Sequence, residues 1–589
     1  MCGIFGIVSD TRDASDAVLE GLKRLEYRGY DSWGIAVVNE RHISVDKHVG
    51  LVGKDAKSLP KAHIGIGHTR WATHGKVTDK NAHPHYATDK SFVLAHNGIV
   101  ENATTLKATL ETDGYSFISE TDTEVIVRLI EKKFRSTKNL DEAVRLAFKD
   151  LSGRNTIIVL AQNGDIIAAR NGSPLVVGIG KSSDIYFSSD VFSFAPHVQS
   201  VLVIDNGQMV SCHDKKIALS SIVTRRSIKQ VFEKNLLKDV SVSKGAYPHY
   251  MIKEINDTPF VIRQILKEPD ANILALARAI KRARRVYTIG SGTAGAAAAQ
   301  IAYYLRLYGN IPAKELIGAE AHEYKALIGK GDLLIAPSQS GETADVLEVL
   351  ELAHNRKASI ASLVNMPGSQ MTRLSDYKFM SNAGPEICVM STKIFVSQIA
   401  WGYLIAKAVQ GKLPEGKRTL RTLSTLVEKM LADKKYLALV RTHASRLAKQ
   451  EHLYLLGKGQ NLQIIKEGMV KMIEGSYVHA HAMPAGDLKH YAITLMEKGV
   501  SVITAVSNDE VQSSVLNAVH EVRARGANVF GIAPSPNENF DYYLPVPDAK
   551  EASGILNVIP LQLLAYYMAV TLGHSIDKPR NIAKSVTVK

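Results

Sequence analysis

The sequence has few cysteines and no long apolar run. Only three cysteines occur among 589 residues, Cys2, Cys212 and Cys388, which is too few for a disulfide framework or a cysteine zinc motif. No uninterrupted apolar run of about 18 residues could span a bilayer; residues 554–572 come nearest but contain asparagine, proline and glutamine. The first residues lack the basic segment and apolar core of a signal peptide. We therefore expect a cytoplasmic protein that does not bind membranes.

The composition is that of a globular protein. Hydrophobic residues make up 45% and charged residues 22%, which excludes a disordered or collagen-like chain. The length suits three or four domains of about 150 residues each. The net charge of +14 fits nucleic-acid binding, an anionic substrate or simply a basic surface. The basic stretch at residues 278–285 has no interleaved aromatic residues, so nucleic acid is not an expected partner.

The first 220 residues predict a layered α+β domain. A helix is expected over Ala14–Leu25, because small and apolar residues recur there at helical spacing. A second helix begins at Thr121, where a capping box ends at Glu124. Residues 221–257 are basic and polar and predict a linker, partly helical over residues 225–239. The predicted strands, bounded by turn pairs such as Asn163-Gly164 and Asn206-Gly207, cover residues 4–8, 35–38, 92–95, 157–160 and 201–204.

The remainder of the chain contains an internal repeat. Residues 285–293 (RVYTIGSGT) resemble residues 452–460 (HLYLLGKGQ), and three further pairs of segments match at offsets between 165 and 169 residues. Each copy alternates strand, loop and helix, a pattern typical of a parallel sheet. Matches at nearly one offset predict two copies of the same α/β module.

Cys2 is a candidate nucleophile. Removal of Met1 would make it the chain terminus, and its α-amino group, with a reference pKa of about 7.7–8.0, would then serve as its base. Arg70 lies in a loop suited to gripping a carboxylate, and Asn97 and Gly98 follow a strand where they can form an oxyanion hole. Asp122, at a helix start, can pair with an ammonium group. Together these residues meet the needs of a glutamine amidase.

Each of these residues also has a structural interpretation. Cys2 would be a chance cysteine, Arg70 a surface ion pair and Asp122 a helix cap. The histidines in this region have no ordered ligand spacing, so no metal is expected; they are His68, His74, His83, His85 and His96.

Five ordered motifs carry a family resemblance. MCGIFGI, EYRGYDSWG (26–34), GHTRWATHG (67–75), HNGIVEN (96–102) and SETDTE (119–124) resemble the N-terminal-nucleophile glutaminase domain of amidotransferases. They are most similar to the glutamine–fructose-6-phosphate aminotransferase family. The resemblance implies that Cys2 is the nucleophile and that Asn97 and Gly98 form the oxyanion hole. It implies glutamine-binding roles for Arg70, Trp71, Thr73, His74 and Asp122.

The repeated modules contain two candidate ligand loops. Residues 290–295 match G-x-G-x-x-G, but the second copy lacks the third glycine and no ribose-binding acid follows, so a dinucleotide is not expected. Residues 338–343 (SQSGET) lie between a strand and a helix, where hydroxyl and backbone N–H groups bind phosphate. Ser391 opens another helix with a second set of hydroxyls. Either segment alone would also suit a solvated turn.

The same family carries paired sugar-isomerase (SIS) modules. Residues 467–491 resemble its second-module helix and loop, and residues 579–589 its catalytic tail. The resemblance implies that Glu474 moves a proton between C1 and C2, that His490 opens the sugar ring and that Lys584 forms a Schiff base, with no cofactor. It implies a sugar-phosphate set of Thr293, Ser338, Gln339, Ser340, Thr343, Val389, Ser391, Lys471 and Ala583.

The sequence departs from the family at several positions near this site. Ala294 stands where serine is usual, Asp487 where glutamate is usual, residues 491–493 (YAI) where Gly-Pro-Leu is usual, and Lys589 where an acidic residue is common. The expected substrates are L-glutamine and fructose 6-phosphate. The departures leave open an amidotransferase for another keto-sugar phosphate, and a non-catalytic sugar-phosphate sensor is the alternative of a different class.

The predicted organisation is an α+β N-terminal-nucleophile glutaminase sandwich followed by two tandem α/β SIS modules with parallel sheets. The predicted boundaries are residues 1–220 for the glutaminase, 221–257 for the linker, 258–412 and 413–574 for the two modules, and 575–589 for the catalytic tail. The family resemblance also implies a homodimer formed through the SIS modules.

Overall fold

A computed structural model describes residues 2–53, 57, 59–235 and 243–585. These residues form two compact units. The first contains the described residues of 1–241, 342–344 and 583–589, and the second those of 242–341 and 345–582.

The first unit contains two antiparallel sheets. One has eight strands in the order β14-β11-β9-β10-β1-β4-β2-β3, and the other six in the order β13-β12-β8-β7-β6-β5. The strands are β1 (Gly3–Val8), β2 (Ser32–Asn39), β3 (His42–Val49), β4 (Ile64–Arg70), β5 (His85–Tyr86), β6 (Phe92–Gly98), β7 (Asn155–Ala161), β8 (Ile166–Asn171), β9 (Val176–Gly180), β10 (Ile185–Ser188), β11 (Val198–Val203), β12 (Gln208–His213), β13 (Lys216–Ser221) and β14 (Glu233–Lys234).

The two sheets pack face to face between two layers of helices. Side chains from both sheets, such as Ile4, Ile66 and Ile158, share one core. Helix α1 covers the outer face of the larger sheet, and α3 and α4 cover the smaller one. This layered arrangement confirms the predicted α+β sandwich. The helices are α1 (Ala14–Leu25), α2 (Ala103–Thr112), α3 (Asp122–Thr137) and α4 (Leu140–Lys149).

Two predicted helices form where the sequence places them. Helix α1 has the predicted bounds, and Asp13 caps it by accepting a hydrogen bond from the Ser15 N–H. At the start of α3 the Thr121 hydroxyl accepts from the Glu124 N–H at 3.4 Å. The Glu124 carboxylate binds the N–H groups of Ile118 and Ser119, so the capping box is formed in one direction only.

The prediction of a partly helical linker was wrong over residues 225–235. That segment contains no helix; its strand β14 pairs with β11 through Glu233 and Val201. A neighbouring strand edge decided the conformation, and such an edge is invisible to local periodicity. Residues 236–239 of the same prediction lie outside the described residues.

The second unit contains two parallel five-stranded sheets, with the orders β16-β15-β17-β18-β19 and β21-β20-β22-β23-β24. Equivalent strands occupy equivalent places, so the predicted duplication is confirmed. The strands are β15 (Val286–Gly290), β16 (Lys314–Ile317), β17 (Leu333–Ser338), β18 (Ser359–Val364), β19 (Tyr377–Met380), β20 (His452–Gly457), β21 (His479–Pro484), β22 (Ser501–Ala505), β23 (Asn528–Ala533) and β24 (Tyr542–Pro545).

Helices cover these sheets and join them in one core that includes Trp401 and Leu561. The helices are α5 (Tyr250–Asn256), α6 (Thr258–Ile265), α7 (Asp270–Arg282), α8 (Thr293–Leu307), α9 (Ala344–Asn355), α10 (Gln370–Leu374), α11 (Lys393–Gln410), α12 (Leu413–Ala432), α13 (Lys434–Leu447), α14 (Leu462–Ser476), α15 (Gln512–Arg523) and α16 (Ser553–Leu572).

Helix α16 continues through the apolar stretch that the sequence analysis considered interrupted. Pro560 lies inside it. With the turn before it, the helix covers residues 550–572 and contains an 18-residue window of mean hydropathy 1.7, so it is long and apolar enough to cross a membrane. However, 83% of that apolar window is buried within the protein, so α16 is a core helix of the second unit.

Candidate active sites

The first candidate site lies where β1 begins and where β4 and β6 end. Strands β1 and β4 pair with Gly3 opposite Thr69, which brings Cys2 beside the residue that follows Arg70. The Trp71 N–H donates to the Cys2 Sγ at 3.3 Å, and the Sγ lies 3.5 Å from the Trp71 carbonyl oxygen. The structure therefore joins the predicted nucleophile to the GHTRWATHG segment.

The Cys2 thiol is protonated at rest in this environment. Burial raises the pKa of the Cys2 thiol, and the positive charge of Arg70 opposes that shift without cancelling it. A thiol of raised pKa needs a base nearby to become a nucleophile. This condition fits the prediction that the α-amino group of Cys2 is that base after Met1 is removed.

Asn97 is arranged as an oxyanion donor. The His68 Nε2 lies 2.9 Å from the His96 carbonyl oxygen and 3.1 Å from the Asn97 Oδ1. Since both neighbours are acceptors, this nitrogen carries the hydrogen and donates. The Asn97 Nδ2 is buried and has no hydrogen-bond partner among the described residues. An orphan buried donor next to a strand end is what a developing oxyanion requires.

Gly98 follows in a conformation that needs glycine. Its φ is +143°, and a Cβ there would lie 2.3 Å from the Arg154 carbonyl oxygen. The absent side chain leaves the backbone open beside Asn97.

The glutamine-binding residues lie around this cluster. Arg70 is buried and donates to the carbonyls of His74, Gly75 and Lys76, so part of its guanidinium orders the loop that carries Thr73 and His74. Both of those residues are exposed. The Asp122 Oδ2 accepts from the Val100 N–H at 2.8 Å, just beyond the end of β6. The structure thus brings Asp122 to the Asn97–Gly98 end of the strand.

The second candidate site lies at the carboxyl ends of the first parallel sheet. Ser338 ends β17, and its Oγ accepts from the Gly341 N–H at 2.9 Å to close the loop that holds Gln339 and Ser340. Gly341 has a φ of +66°, and a Cβ there would lie 2.2 Å from the Ser369 Oγ. Thr343 is the residue immediately before α9. Ligands of open α/β sheets bind at these carboxyl ends.

Three charged residues follow one face of α14 below this edge. Lys471 Nζ lies 2.5 Å from the Glu474 Oε2 and 3.5 Å from the Glu467 Oε1. Thr293, at the start of α8, donates to the same Glu467 oxygen at 3.2 Å. Burial raises the pKa of Glu467 to about 7, whereas Glu467 and Glu474 hold the pKa of the Lys471 ammonium above its ordinary value despite burial. The structure therefore brings Thr293, Lys471 and Glu474 together through Glu467.

The segment with Val389 and Ser391 packs against the same helix. The Ser391 hydroxyl donates to Glu386 at 2.8 Å, and the other Glu386 oxygen accepts from the N–H groups of Thr392 and Ile394. Glu386 thereby caps α11 and orders Ser391. The neighbouring Met390 lies against Gly475 of α14.

The remaining predicted residues are not joined to this cluster. His490 is exposed on a short turn, and within the part of the chain that the structure describes no hydrogen bond or ion pair reaches its ring. Ala583 is buried and Lys584 half-buried in the last described segment. Their roles remain predictions.

The sequence analysis missed three residues that order the two sites. His68 orients Asn97, Glu386 orders Ser391, and Glu467 joins Thr293 to Lys471. His68 and Glu467 lie inside motifs already quoted for the family resemblance, and this position was the sequence signal that could have identified them. Glu386 had none, since its contacts follow from how the loop before α11 folds.

Comparison with known proteins identifies both kinds of domain. A glutamine amidotransferase domain family matches residues 44–247, and the SIS domain family matches residues 279–408 and 446–572. The C-terminal domain of glucosamine-fructose-6-phosphate aminotransferase from Francisella tularensis is 29% identical, with a TM-score of 0.53 over 57% of this chain and 100% of that chain.

Similar full-length proteins carry one description, glutamine--fructose-6-phosphate aminotransferase [isomerizing]. The protein from Caldanaerobacter subterraneus subsp. tengcongensis is 35% identical, one from Thermus thermophilus 37% and that from Pyrobaculum aerophilum 37%, each over 100% of both chains. This chain therefore belongs to the family of isomerizing glutamine–fructose-6-phosphate aminotransferases.

Proposed function

We propose that the protein converts L-glutamine and fructose 6-phosphate to glutamate and glucosamine 6-phosphate, the first step of hexosamine synthesis towards UDP-N-acetylglucosamine. The observation that carries the proposal is that one chain holds an orphan buried amide donor and a half-buried thiol in its first unit and, in its second unit, a lysine–glutamate pair tied through Glu467 to Thr293. The first arrangement suits release of ammonia from an amide, and the second suits proton transfer on a sugar phosphate.

In the glutaminase reaction the α-amine of Cys2 takes the thiol proton. The Sγ attacks the amide carbon of glutamine, and the amide oxygen becomes an oxyanion that receives hydrogen bonds from the Asn97 Nδ2 and the Gly98 N–H. Arg70 holds the α-carboxylate of glutamine and Asp122 its α-ammonium group. Trp71, Thr73 and His74 line the bound substrate.

In the synthase reaction Ser338, Gln339, Ser340 and Thr343 hold the sugar phosphate together with Thr293, Val389, Ser391, Lys471 and Ala583. His490 opens the ring, Lys584 holds C2 as a Schiff base until ammonia displaces it, and Glu474 moves a proton between C1 and C2. The raised pKa of Lys471 supports this division. An ammonium held by two carboxylates is a poor amine nucleophile, which leaves Lys584 for the Schiff base.

The residue after His490 favours one alternative, a different keto-sugar phosphate as the ammonia acceptor. Tyr491, which follows His490 where the family has glycine, is 52% exposed, so its ring changes the surface next to the ring-opening histidine. An amidotransferase for another keto-sugar phosphate would use the same residues. Ranking turnover over a panel of keto-hexose and keto-pentose phosphates decides between them: fructose 6-phosphate is expected to give the highest kcat/KM.

We also propose a cytoplasmic homodimer formed through the SIS modules, with no nucleic acid as partner. Arg284 and Arg285, at the end of the basic stretch, both bind Asp332, which supports a structural role for them. We further propose domain boundaries at residues 257, 412 and 574; the first unit continues past the expected boundary at residue 220, because β14 pairs with β11.

The test replaces the proposed nucleophile. With amide-¹⁵N-glutamine and fructose 6-phosphate, wild-type protein should release ¹⁵N-glucosamine 6-phosphate, identified by mass spectrometry, and Cys2→Ala should release none. Cys212→Ala is the matched control, since Cys212 is a buried cysteine of β12 outside the site, and it should retain full activity. Unchanged synthesis of glucosamine 6-phosphate by Cys2→Ala refutes the proposal. If the wild type binds sugar phosphate but turns over neither substrate, the protein is a non-catalytic sugar-phosphate sensor.

A further inference from the structure

Glu467 is the charged residue of the second site to which the proposed mechanism gives no role. It lies one turn before Lys471 on α14, its side chain is fully buried, and its Oε2 has no hydrogen-bond partner among the described residues. A buried carboxyl group with an unfilled oxygen costs stability. A buried carboxyl group of this kind is more often retained for a functional reason than for packing.

The contacts of Glu467 join the phosphate loop to the proton-transfer pair. Its Oε1 accepts from the Thr293 hydroxyl at 3.2 Å and lies 3.5 Å from the Lys471 Nζ, while the same ammonium lies 2.5 Å from the Glu474 Oε2. In this state the Lys471 ammonium is therefore bound mainly by Glu474. A carboxylate oxygen that accepts so short a hydrogen bond from an ammonium is occupied and is not free to accept a proton from a substrate.

The charges in this cluster do not balance when all three groups are ionised. Two carboxylates and one ammonium leave a net negative charge in a buried place, and burial correspondingly raises the pKa of Glu467 to about 7. Cys388, from the loop before α11, also interacts electrostatically with Lys471, and its thiol lies 3.7 Å from the Ile576 carbonyl oxygen. Lys471 thus lies between two carboxyl groups, and it moves towards whichever carries more negative charge.

Thr293 can serve only one acceptor at a time. A threonine hydroxyl has a single hydrogen to donate, and the oxygens of a phosphate dianion only accept. When Thr293 donates to the sugar phosphate, the Glu467 Oε1 loses that hydrogen bond. The Lys471 ammonium is then its nearest remaining donor.

We propose that Glu467 is a positioning residue that couples sugar-phosphate binding at Thr293 to the release of Glu474 from Lys471. This inference rests on the proposed function. Without substrate, Lys471 neutralises Glu474. Once the phosphate takes the Thr293 hydrogen bond, ionised Glu467 draws the ammonium towards itself, and Glu474 is free to take the proton from the sugar. Isomerisation is thereby tied to a bound phosphate ester.

The first test is Glu467→Gln, which keeps the size and the bond to Thr293 but removes the charge. The kcat of glucosamine 6-phosphate formation should fall about tenfold or more, with KM for fructose 6-phosphate changed less than about twofold. The rise of wild-type kcat with pH near 7 should be absent from the variant. Glutaminase turnover without acceptor should be unchanged.

The matched control is Glu551→Gln. It also removes a carboxylate from a fully buried lysine of the same unit, Lys407, whose Nζ lies 3.0 Å from the Glu551 Oε2. This variant should keep kcat and the pH profile of the wild type. An equal loss in both variants would show a structural effect and overturn the inference.

Two further measurements separate coupling from packing. In a double-mutant cycle, Thr293→Val should reduce kcat less in the Glu467→Gln background than in the wild type; multiplicative losses overturn the coupling. The infrared carbonyl band of a protonated carboxyl should be present in wild type at pH 6 and missing from Glu467→Gln, and its absence from wild type overturns the charge assignment. A wild type that makes no glucosamine 6-phosphate refutes the proposed function, whereas an active wild type with an unaltered Glu467→Gln variant refutes this inference alone.

Discussion

At the scale of single residues, the glutaminase site depends on the orientation of one amide. The Asn97 side chain could point either group towards His68. Burial lowers the pKa of His68 to about 3, so its ring is neutral at physiological pH and its one N–H faces the Asn97 Oδ1. The NH₂ group of Asn97 is thereby directed away from His68 and remains available to an oxyanion. His68 thus determines which group of the Asn97 side chain is free for the proposed reaction.

Replacing Asn97 by alanine should therefore lower kcat of glutamine hydrolysis about 10²- to 10³-fold, the usual loss on removal of one oxyanion donor. KM for glutamine should change little, because the bond forms in the transition state. Steady-state release of glutamate measures both constants. Asn102→Ala is the control, since Asn102 only ties a turn to Asp150 and Ser152. A kcat within threefold of wild type would contradict the assignment of Asn97.

At the scale of elements, the region of β4 and β5 collects three buried histidines. The His68 and His83 rings lie 4.3 Å apart and those of His83 and His85 5.0 Å apart. Burial lowers the pKa of His68 to about 3 and lowers those of His83 and His85 well below the ordinary value. All three are neutral in the folded protein, whereas the unfolded chain protonates them below about pH 6.5.

The first unit should consequently lose stability on acidification. For a base whose folded pKa is lowered, the stabilisation is complete above the unfolded value near 6.5 and is lost as pH falls below it, by about 1.4 kcal/mol per pH unit for each histidine. Urea denaturation at pH 8, 7, 6 and 5 measures this slope in the free energy of unfolding. His83→Phe removes one of these protonation sites and should reduce the slope by about 1.4 kcal/mol per pH unit. His42→Phe, at an exposed position, should leave the slope unchanged. A flat profile between pH 7 and 5 would contradict the prediction.

Local pattern predicted the elements that local contacts determine. Helix α1 has the predicted bounds because its apolar stripe and its cap lie within the segment itself. The duplication could be recognised in the sequence because the two copies repeat the same packing contacts. Asp376 accepts a hydrogen bond from the Ile360 N–H at 2.9 Å. Its match in the second copy, Asp541, accepts one from the Val529 N–H at the same distance. Each carboxylate ties the fifth strand of its sheet to the fourth.

What the sequence did not predict depends on distant partners. Strand β14 forms because the edge of β11 is available to it, and no periodicity in residues 225–235 records that edge. The roles of His68 and Glu467 likewise appear only when the fold brings Asn97 and Thr293 to them. The candidate nucleophile and the candidate substrate-binding motifs could be proposed from the sequence because their residue types are chemically restrictive.

At the scale of the whole molecule, the two copies of the module differ at the proposed sugar-phosphate loop. The positions of the second module that match Ser338, Gly341 and Thr343 hold Val506, Asp509 and Val511, which removes two hydroxyls and the flexible glycine. Three buried side chains of that module, Asn461, Ser507 and Asn557, hydrogen-bond to one another. These bonds leave the Asn557 Oδ1 without a partner among the described residues but engage the other polar atoms with one another, and the second copy supplies α14 with Lys471 and Glu474 instead.

The proposed dimer gives the last prediction at this scale. Tyr491 and Leu495, on either side of a turn that follows His490, are 52% and 53% exposed, and apolar side chains grouped on a surface are typical of an interface. Covering this segment would also shield His490 from water, which general acid catalysis favours. We expect the wild type to be a dimer and the double variant Tyr491→Ser with Leu495→Ser to dissociate at least about tenfold more readily, since an interface residue that matters contributes more than about 1 kcal/mol. Light scattering across a dilution series measures this equilibrium. Val223→Ser, which removes an exposed valine of the first unit, should leave it unchanged, and a double variant that dimerises as tightly as wild type would place the interface elsewhere.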